Sequence, residues 1–585
     1  MSSVRGGRKE GTPSDTRSLQ GDNPHSIDSP PQPFHRTLVP LAVVFLLAYL
    51  ILFLGMSREP IVYDEGLVLT AAMRVAAGQV PHRDFYANYG PAQFYILAGL
   101  FKTFGESLFV ERLYDLFVKA LTVTSVYAIL LAYCRKSVAA ITAVAAMLWI
   151  ISVNNLTGTP VIPVSLLNLL GMALVLPVFW RKPSATRMFF AGVVAGLATL
   201  FRYDTGIALL GLQTCVVAVA IFLWKAEKSP RVFLSTFLPC LVAFAAVTVP
   251  FALYYLSVAP LHSIVYDIVL YPARYYHRGR NLPFPGITLR AFENIEIYLL
   301  LAIIVVALYV AVADRFKVRE DHASTPGNIS GERQWRGFLF SFAVLALAMY
   351  FKGFVRISLL HLYLCIIPSL LLVAVLFEHR FTLPRILRFS TMVLVWLAAL
   401  AVTSSTLHEI RRLQVYHFSV PEGFVESIRG TAPDMEAAWC KTSNPLTRDF
   451  CFLADDDRIQ AIDFIDSHTA PGQRLYVGLP HHDRIFSNDN LMYFAAQRLP
   501  ATMWSHFDPG LQNSYEIQAQ MIRELQAAAP PYIVLDAEWD QAREPNDSAI
   551  SSGVTLLDDY IHKTYRPATS FGLLSIYERI PSSSH

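Results

Sequence analysis

Residues 37–56, TLVPLAVVFLLAYLILFLGM, form an apolar run without a charged side chain. A helix of about 20 apolar residues crosses the hydrocarbon of a bilayer, so this run predicts a membrane-spanning helix. Over the whole chain 54% of the residues are hydrophobic and 16% are charged. Soluble domains carry about a quarter charged residues, and the composition therefore predicts a polytopic membrane protein.

Outward from this run, further apolar stretches of similar length follow. Together they predict eleven spans, at 37–56, 109–133, 137–153, 161–180, 187–202, 204–224, 232–256, 293–313, 336–352, 357–377 and 389–405. The segment 91–105 is apolar but shorter, and we interpret it as a juxtamembrane or re-entrant helix. On this count the inner loops all carry clusters of Arg and Lys, as the positive-inside rule requires.

The chain divides into three predicted regions. Residues 1–36 are rich in Ser, Pro, Gly and mixed charge, and predict a disordered cytoplasmic tail. Residues 37–405 hold the spans. An odd number of spans from a cytoplasmic N-terminus places 406–585 outside the cytoplasm, where helical and strand-like stretches alternate. The predicted fold class is an α-helical polytopic membrane protein with a small C-terminal extracytoplasmic α/β domain.

Cysteine usage bears on the compartment of the C-terminal domain. Cys440 and Cys451 are its only two cysteines. A disulfide between them would fit an oxidising compartment, but two free thiols fit the sequence as well.

The first outer loop, 57–90, carries the strongest functional pattern. Asp64 and Glu65 open a predicted amphipathic helix and are either candidates for acid–base chemistry or ordinary first-turn carboxylates favoured by the helix dipole. The loop and the start of the next segment then interleave aromatic and charged residues, a mixture typical of sugar-binding sites: Arg83, Asp84, Tyr89 and Tyr95. The aromatic residues alone would also fit the interfacial belt of a membrane protein.

Cations follow at the predicted outer ends of later spans. Arg202 ends the fifth span and is either the ion-pair partner of Asp204 or a donor to a lipid phosphate, which the planar guanidinium suits. Lys352 and Arg356 lie between the ninth and tenth spans, where they either hold an anion or extend to the head groups.

Two further candidates lie in outer segments. His361 follows Arg356 by one helical turn or so, and is either a ligand-binding or a packing residue. Arg274 lies in the loop 257–292, which is either a flap over a membrane-embedded cavity or a basic surface loop.

These residues carry a family resemblance. The Asp64-Glu65 pair, the run Gly78-x-x-Pro81-x-Arg83-Asp84-x-x-x-x-Tyr89-Gly90-Pro91-x-x-x-Tyr95 and the basic Arg202 resemble the GT-C superfamily of membrane glycosyltransferases. Within it they are similar to the bacterial branch with protein O-mannosyltransferases, the lipid A aminoarabinose transferase and the Rhizobium-type core galacturonosyltransferases.

The resemblance implies transfer of a sugar from a polyprenyl-phosphate donor to a hydroxyl of a glycan, lipid or protein on the outer face, with inversion. Asp64 takes the place of the catalytic base, with Glu65 orienting the acceptor or substituting for it. Arg202, Arg356 and Lys352 would bind the donor phosphate. Substrate-binding positions are Arg83, Asp84, Tyr89, Tyr95, Arg274 and His361.

The chain departs from some family members between the third and fourth spans, where Ile151 to Val164 includes no carboxylate. No cofactor is therefore predicted, and a divalent metal would lack one ligand that those members have.

Two other classes of membrane protein remain as alternatives. A lipid or sugar transporter would need paired discontinuous helices or ionisable residues at mid-membrane. A non-catalytic membrane scaffold would be expected to have lost Asp64. No basic, aromatic-interleaved stripe predicts a nucleic-acid partner.

Overall fold

The computed structural model describes residues 34–153, 156–225, 229–286, 292–313, 326–415 and 438–581. Of the predicted disordered tail only 34–36 belong to these ranges, and they begin the first helix. The rest of that prediction lies outside the described residues.

Helices make up most of the described chain before residue 416. They are α1 Phe34–Leu54, α2 Asp64–Ala76, α3 Ala92–Phe104, α4 Leu108–Leu130, α5 Lys136–Ser152, α6 Val161–Val175, α7 Ala185–Phe201, α8 Tyr203–Ala218, α9 Pro230–Val258, α10 Leu261–Val265, α11 His277–Arg280, α12 Phe292–Val312, α13 Pro326–Gly353, α14 Tyr363–Glu378 and α15 Arg385–Val415. A 3₁₀ turn, Phe354–Arg356, follows α13 directly.

Seven helical stretches in the described part are long and apolar enough to cross a membrane: Leu108–Leu130, Val161–Phe179, Tyr203–Trp224, Pro230–Val258, Asn294–Val312, Gly331–Arg356 and Arg385–His408. Each coincides with a predicted span. Shorter apolar helices cover the other four predicted positions: Leu38–Leu54, Lys136–Ser152, Ala185–Phe201 and Tyr363–Glu378. The membrane-protein class is thus supported, while the count of eleven stays a prediction.

The segment 91–105 forms α3, a helix of 13 residues. It lies directly after the first loop and packs against α2. Gln93 on its first turn donates to the carbonyl oxygen of Gly158 at 2.7 Å, which ties α3 to the start of α6. This is consistent with the interpretation of 91–105 as a helix beside the spans.

The described tail contains a four-stranded mixed sheet, β1 Tyr476–Gly478, β2 Tyr532–Asp536, β3 Tyr565–Phe571 and β4 Leu574–Arg579, in the order β1-β2-β4-β3. β1 is parallel to β2, and β4 is antiparallel to both β2 and β3. Its helices are α16 Asp456–His468, α17 Leu491–Ala495, α18 Tyr515–Ala528 and α19 Leu556–Thr564.

The sequence predicts helices at 459–465 and 517–528 and strands at 474–478, 532–535 and 575–579. These coincide with α16, α18, β1, β2 and β4, whereas α17, β3 and α19 were missed. β3 is an edge strand with mostly exposed residues, and its ladder is irregular between Pro567 and Thr569. An edge position tolerates proline because one side of the strand needs no ladder hydrogen bonds. Such a strand has neither the alternation nor the apolar run that identifies a strand from sequence.

The tail packs on the first loop. The amide of Leu491 donates to the carbonyl of Val62 at 3.1 Å, and the Thr70 hydroxyl donates to the carbonyl of Asn490 at 2.8 Å. A Cβ on Gly66 would lie 2.5 Å from the Leu491 nitrogen, so this close approach of α2 and α17 requires glycine. The first loop and the sheet therefore lie at the same end of the helix bundle.

A disulfide joins Cys440 and Cys451, the pair that the sequence singles out, with 5.3 Å between their Cα atoms. The carbonyl oxygen of Cys451 accepts a hydrogen bond from Arg58 Nε at 3.1 Å. The bridged segment is thereby tied to the chain just after α1.

Candidate active site

Asp64 is the first residue of α2, and its partly exposed side chain lies at the sheet-bearing end of the bundle. Within the described chain its carboxylate has no hydrogen bond or ion pair. Burial raises the pKa of Asp64 to about 6, although the charges of His506 and Arg280 act in the opposite direction. A carboxylate with this pKa is ionised at neutral pH and basic enough to accept a proton from a reacting hydroxyl.

Arg202 and Lys352 share one ion-pair partner, Asp204. Arg202 caps the end of α7, with its guanidinium 5.2 Å from the ring centre of Tyr89. Arg202 Nε lies 3.3 Å from one oxygen of Asp204, and Lys352 Nζ lies 3.1 Å from the other. The internal ion pair that the sequence left open is therefore formed, and it includes a second cation.

Arg356 makes a two-pronged ion pair with Glu544, a residue of the tail. Asn546 Nδ2 donates to the same carboxylate at 3.0 Å. Burial raises the pKa of Glu544, but Arg356 and Asn546 outweigh it and hold that pKa below its usual value. Guanidinium forks bind carboxylates and phosphates in the same paired geometry.

Arg280, at the end of α11, is the fourth cation of this region. Its Nη2 nitrogen lies 2.7 Å from Asp508 Oδ1 and 3.4 Å from the hydroxyl of Tyr63. Although burial raises the pKa of Asp508, Arg280 and His506 lower it to about 2. Asp508 is therefore a permanent anion opposite Arg280.

We call this group of Asp64, Arg202, Arg280, Lys352 and Arg356 the Asp64 cluster. His361 lies five residues after Arg356, and its backbone carbonyl packs against Gly353, the residue after Lys352. The exposed ring of His361 accepts or donates a hydrogen bond with the Ser358 hydroxyl at 2.8 Å. The structure thus brings together Asp64, Tyr89, Arg202, Lys352, Arg356 and His361 from the predicted set.

Glu65 lies next to Asp64 in sequence but in a different environment. Its fully buried carboxylate contacts Arg112 Nε at 2.7 Å and accepts from the amide of Ile61 at 2.8 Å. Around it lie further buried charges of α4, and we call Glu65, Glu111, Arg112, Asp115 and Lys119 the Glu65 cluster. Lys119 Nζ lies 2.6 Å from Asp115. Through its ion pair with Arg112, Glu65 holds the start of α2 against α4.

Four predicted substrate-binding residues are not brought to the Asp64 cluster. Arg83 is exposed and pairs with Asp84 at 2.7 Å, while Asp84 accepts from the amide of Val80 at 2.7 Å and so closes the turn. Tyr95 packs beside Tyr255 in a separate apolar group. Arg274 is exposed, and it is Arg280, from the same loop, that points inward.

Sequence reasoning missed three groups of functional candidates. The first is Arg280, hidden among the other arginines of its loop. The second is His506, Asp508 and Glu544, which reach the cluster only because the tail folds back on the first loop. The third is the set of charges within α4, where Glu111, Asp115 and Lys119 at spacings of four residues share one helix face and could have been found from sequence.

The described residues contain no group of three or more His, Cys, Asp and Glu side chains arranged to hold a metal ion. The Asp64 cluster has mostly cationic side chains, which suit an anion rather than a cation.

No protein-family model matches the sequence, and no curated protein matches it. Among solved structures, the chain is similar to ArnT from Cupriavidus metallidurans bound to undecaprenyl phosphate. Sequence identity is 15%, the match covers 94% of this chain and 99% of that chain, and the TM-score is 0.51. For the apo state of the same ArnT the identity is 14%, the coverage 94% and 98%, and the TM-score 0.48.

An oligosaccharyltransferase from Archaeoglobus fulgidus matches at 12% identity, with 86% of this chain and 70% of that chain covered and a TM-score of 0.48. At such identities the likeness to ArnT concerns the fold alone. The resemblance expected from the sequence is confirmed at that level: the chain has the fold of ArnT, a GT-C glycosyltransferase.

Proposed function

We propose that this protein is a membrane glycosyltransferase that moves a sugar from a polyprenyl-phosphate donor to an acceptor hydroxyl, on the extracytoplasmic face and with inversion. The observation that carries the proposal is the Asp64 cluster: Asp64 has no ion pair within the described chain, Arg280 and Arg356 act on its charge, and Arg202 lies over the ring of Tyr89, on which Asp64 also acts. A sugar phosphate needs both: a base for the attacking hydroxyl and cations for the departing phosphate.

In this reaction Asp64 removes the proton of the acceptor hydroxyl as its oxygen attacks the anomeric carbon. The bond from that carbon to the phosphate oxygen breaks, and the phosphate leaves with the electron pair. Arg202, Lys352 and Arg356 stabilise the growing negative charge on the phosphate. Phosphate is a good leaving group, so no second carboxylate is needed as an acid.

The donor class is supported by the chemistry of the cations and by the fold. Arg356 already binds a carboxylate through both prongs of its guanidinium, and a lipid phosphate offers the same pattern of oxygens. ArnT, whose fold the chain shares, was solved with undecaprenyl phosphate bound. We infer that a similar lipid phosphate binds here and displaces the carboxylates of Glu544 and Asp204 from the cations.

Glu65 takes a different part from the one that the resemblance suggested. We propose that it positions α2, and with it Asp64, through its buried pair with Arg112. Contact with the acceptor would require Glu65 to leave that pair.

Binding of the lipid tests the donor site. Purified protein in nanodiscs should retain undecaprenyl phosphate in native mass spectrometry, and substitution of Arg356 by alanine should reduce the retained fraction. Equal retention by both proteins would contradict the phosphate role.

Comparison of glycans tests the reaction. Envelope glycans from cells that contain the protein should be heavier by one sugar than glycans from cells that lack it. Cells with the Asp64→Asn variant should give the same glycan masses as cells without the protein. Identical glycan masses in all three would contradict the transferase function.

The side of the membrane needs its own test. A cysteine at the exposed position Ser552 should react in intact cells with a maleimide that cannot cross membranes. Labelling only after the cells are opened would contradict the extracytoplasmic placement.

A further inference from the structure

The connection between α9 and α12 contains one long helix. α10 begins at Leu261, and two π-helical stretches, Tyr266–Leu270 and Pro272–Tyr276, join it to α11 without a break. We call the whole element the 261–280 helix. A π-helix has wider turns than an α-helix, because its hydrogen bonds join residue i to residue i+5. Residues four or five positions apart therefore lie on the same face of this helix.

Both ends of the 261–280 helix are fixed at the ends of candidate membrane spans. The helix starts directly after the span Pro230–Val258, from which two residues separate it. Just beyond its other end, the amide of Leu282 donates to the carbonyl of Val355 at 3.0 Å, at the end of the span Gly331–Arg356. A helix that connects the ends of two spans in this way runs along the surface of the bilayer.

The inward face of the 261–280 helix contacts the first loop and the tail. Asp267 Oδ2 lies 2.8 Å from His82 Nδ1, and the Tyr271 hydroxyl donates to the carbonyl of Pro509 at 3.2 Å. Arg280, at the last position, is the cation of the Asp64 cluster that pairs with a carboxylate of the tail. Contacts at these three positions fix which face of the helix points away from the protein.

The outward face begins with an apolar stripe. Leu261, Val265 and Val269 follow one another at spacings of four residues, and their exposed fractions are 61%, 37% and 54%. Exposure of three aliphatic side chains to water is unfavourable, whereas contact with acyl chains removes their surface from water. The stripe therefore favours a lipid environment.

The apolar stripe lies next to a lipid-facing part of α9. Ile264, in the first turns of the helix, packs in one apolar group with Tyr255 and Ala259 at the end of α9. Leu253 and Leu256, from the same end of α9, are exposed. Among the candidate spans of the described chain, α9 is the one least buried within the protein, so these exposed residues face lipid. The stripe extends that surface to the level of the head groups.

Exposed cations follow the apolar stripe along the helix. Arg274 and Arg278 are four residues apart, and neither has an ion pair or a hydrogen bond within the described chain. Asp267 is the only carboxylate between positions 261 and 280, and it is buried on the inward face. The outward face thus combines aliphatic side chains with positive charge. Amphipathic helices of this composition lie in the bilayer interface, where arginines contact anionic head groups.

We propose that the 261–280 helix docks on the bilayer surface at the sheet-bearing end of the bundle. Leu261, Val265 and Val269 lie between acyl chains, and Arg274 and Arg278 bind the phosphates of anionic phospholipids. The partner is the lipid surface and not a protein, because the stripe continues from a lipid-facing span. The proposal concerns this surface alone and is independent of whether the protein transfers a sugar.

Photocrosslinking tests the apolar stripe. The full-length protein carries p-benzoylphenylalanine in place of Val269, in nanodiscs of equal parts phosphatidylglycerol and phosphatidylcholine. After irradiation, mass spectrometry of the intact protein should show adducts of one phospholipid. The same probe in place of Leu573, a similarly exposed residue in the turn between β3 and β4, is the matched control and should give few such adducts.

Two results would overturn the docking of the stripe. Equal yields of lipid adduct at the two positions would show that the stripe has no preferred contact with lipid. Crosslinks between two copies of the chain, in place of lipid adducts, would show that the stripe is a protein interface. Because both replaced side chains are exposed, the probe removes little packing, and an unchanged elution volume in size-exclusion chromatography checks the fold.

The lipid composition of the adducts tests the arginines. With the probe at position 269, phosphatidylglycerol adducts should outnumber phosphatidylcholine adducts. Combining Arg274→Gln with Arg278→Gln should lower this ratio by about fivefold or more, the effect of one arginine at an anionic surface. Arg566→Gln, which removes an exposed arginine of β3, should leave the ratio unchanged. An unchanged ratio in the double variant would overturn the assignment of anionic phospholipids as the partner.

Discussion

Asp64 and Glu65 are adjacent in sequence, yet they belong to clusters that differ in solvent exposure and in the balance of charge. The Glu65 cluster is closed: the side chains of Glu65 and Arg112 are at most 1% exposed, and those of Asp115 and Lys119 at most 7%. The Asp64 cluster is open, with 18% of Arg202, 26% of Lys352 and 53% of their partner Asp204 exposed. A ligand can reach the second cluster only.

The two clusters also differ in their balance of charge. The Glu65 cluster has three carboxylates for two cations and is shut off from solvent. In the Asp64 cluster the four cations are paired with three carboxylates, Asp204, Asp508 and Glu544, and within the described chain Asp64 is the carboxylate left without an ion pair. One residue along α2 therefore separates a structural carboxylate from a candidate base.

The sharpest test of this difference is Asp64→Asn, which keeps the shape of the side chain and removes its basicity. Sugar transfer should fall by about 10²–10⁴-fold, the usual contribution of a general base. The melting temperature at neutral pH should not fall, because no ion pair is lost and a neutral side chain replaces a carboxylate whose pKa burial raises. Sugar transfer at the normal rate in Asp64→Asn would contradict the assignment of Asp64 as the base.

The converse substitution, Glu65→Ala, should act on stability. It leaves the buried guanidinium of Arg112 without its carboxylate, and breaking such a pair costs about 3–5 kcal/mol. Thermal unfolding in detergent should begin at a clearly lower temperature. Replacing both partners by leucine should be less damaging, and an unchanged melting temperature in Glu65→Ala would contradict the structural role.

For the donor site, Arg202→Ala should weaken binding of undecaprenyl phosphate by roughly 10–100-fold. A hydrogen bond to a charged group contributes about 1.5–3 kcal/mol, which corresponds to that range. Arg83→Ala is the matched control, since Arg83 is an exposed arginine with its own carboxylate outside the cluster. Equal losses in the two variants would show a general effect of surface charge.

The smallest expected effect is that of pH. Asp64 must be ionised to act as a base, and its pKa is raised to about 6. Transfer should therefore decrease as the pH falls through 6, to roughly a tenth of the maximum at pH 5. A profile that stays flat down to pH 4.5 would mean that Asp64 is not the base.

The membrane-spanning helices could be predicted because burial in lipid requires a long, continuous apolar run in the sequence. The apolar runs are long, and each coincides with a helix of the structure. The strands β1, β2 and β4 were found from short apolar runs because they are buried in the core of the tail. The edge strand β3 was not, since its stability comes from pairing with β4 and not from its own composition.

The sequence by itself determined the membrane class, the loop that contains Asp64 and the cations that follow later spans. Only the tertiary structure decided that Glu65 is paired with Arg112, that Arg83 and Arg274 lie elsewhere, and that His506, Asp508 and Glu544 join the site. The physical reason is that hydropathy is a property of each segment, whereas an ion pair depends on which segments meet. The close contact of the tail with α2, possible because position 66 is glycine, brings residues more than 400 positions apart, such as Tyr63 and His506, within hydrogen-bond distance.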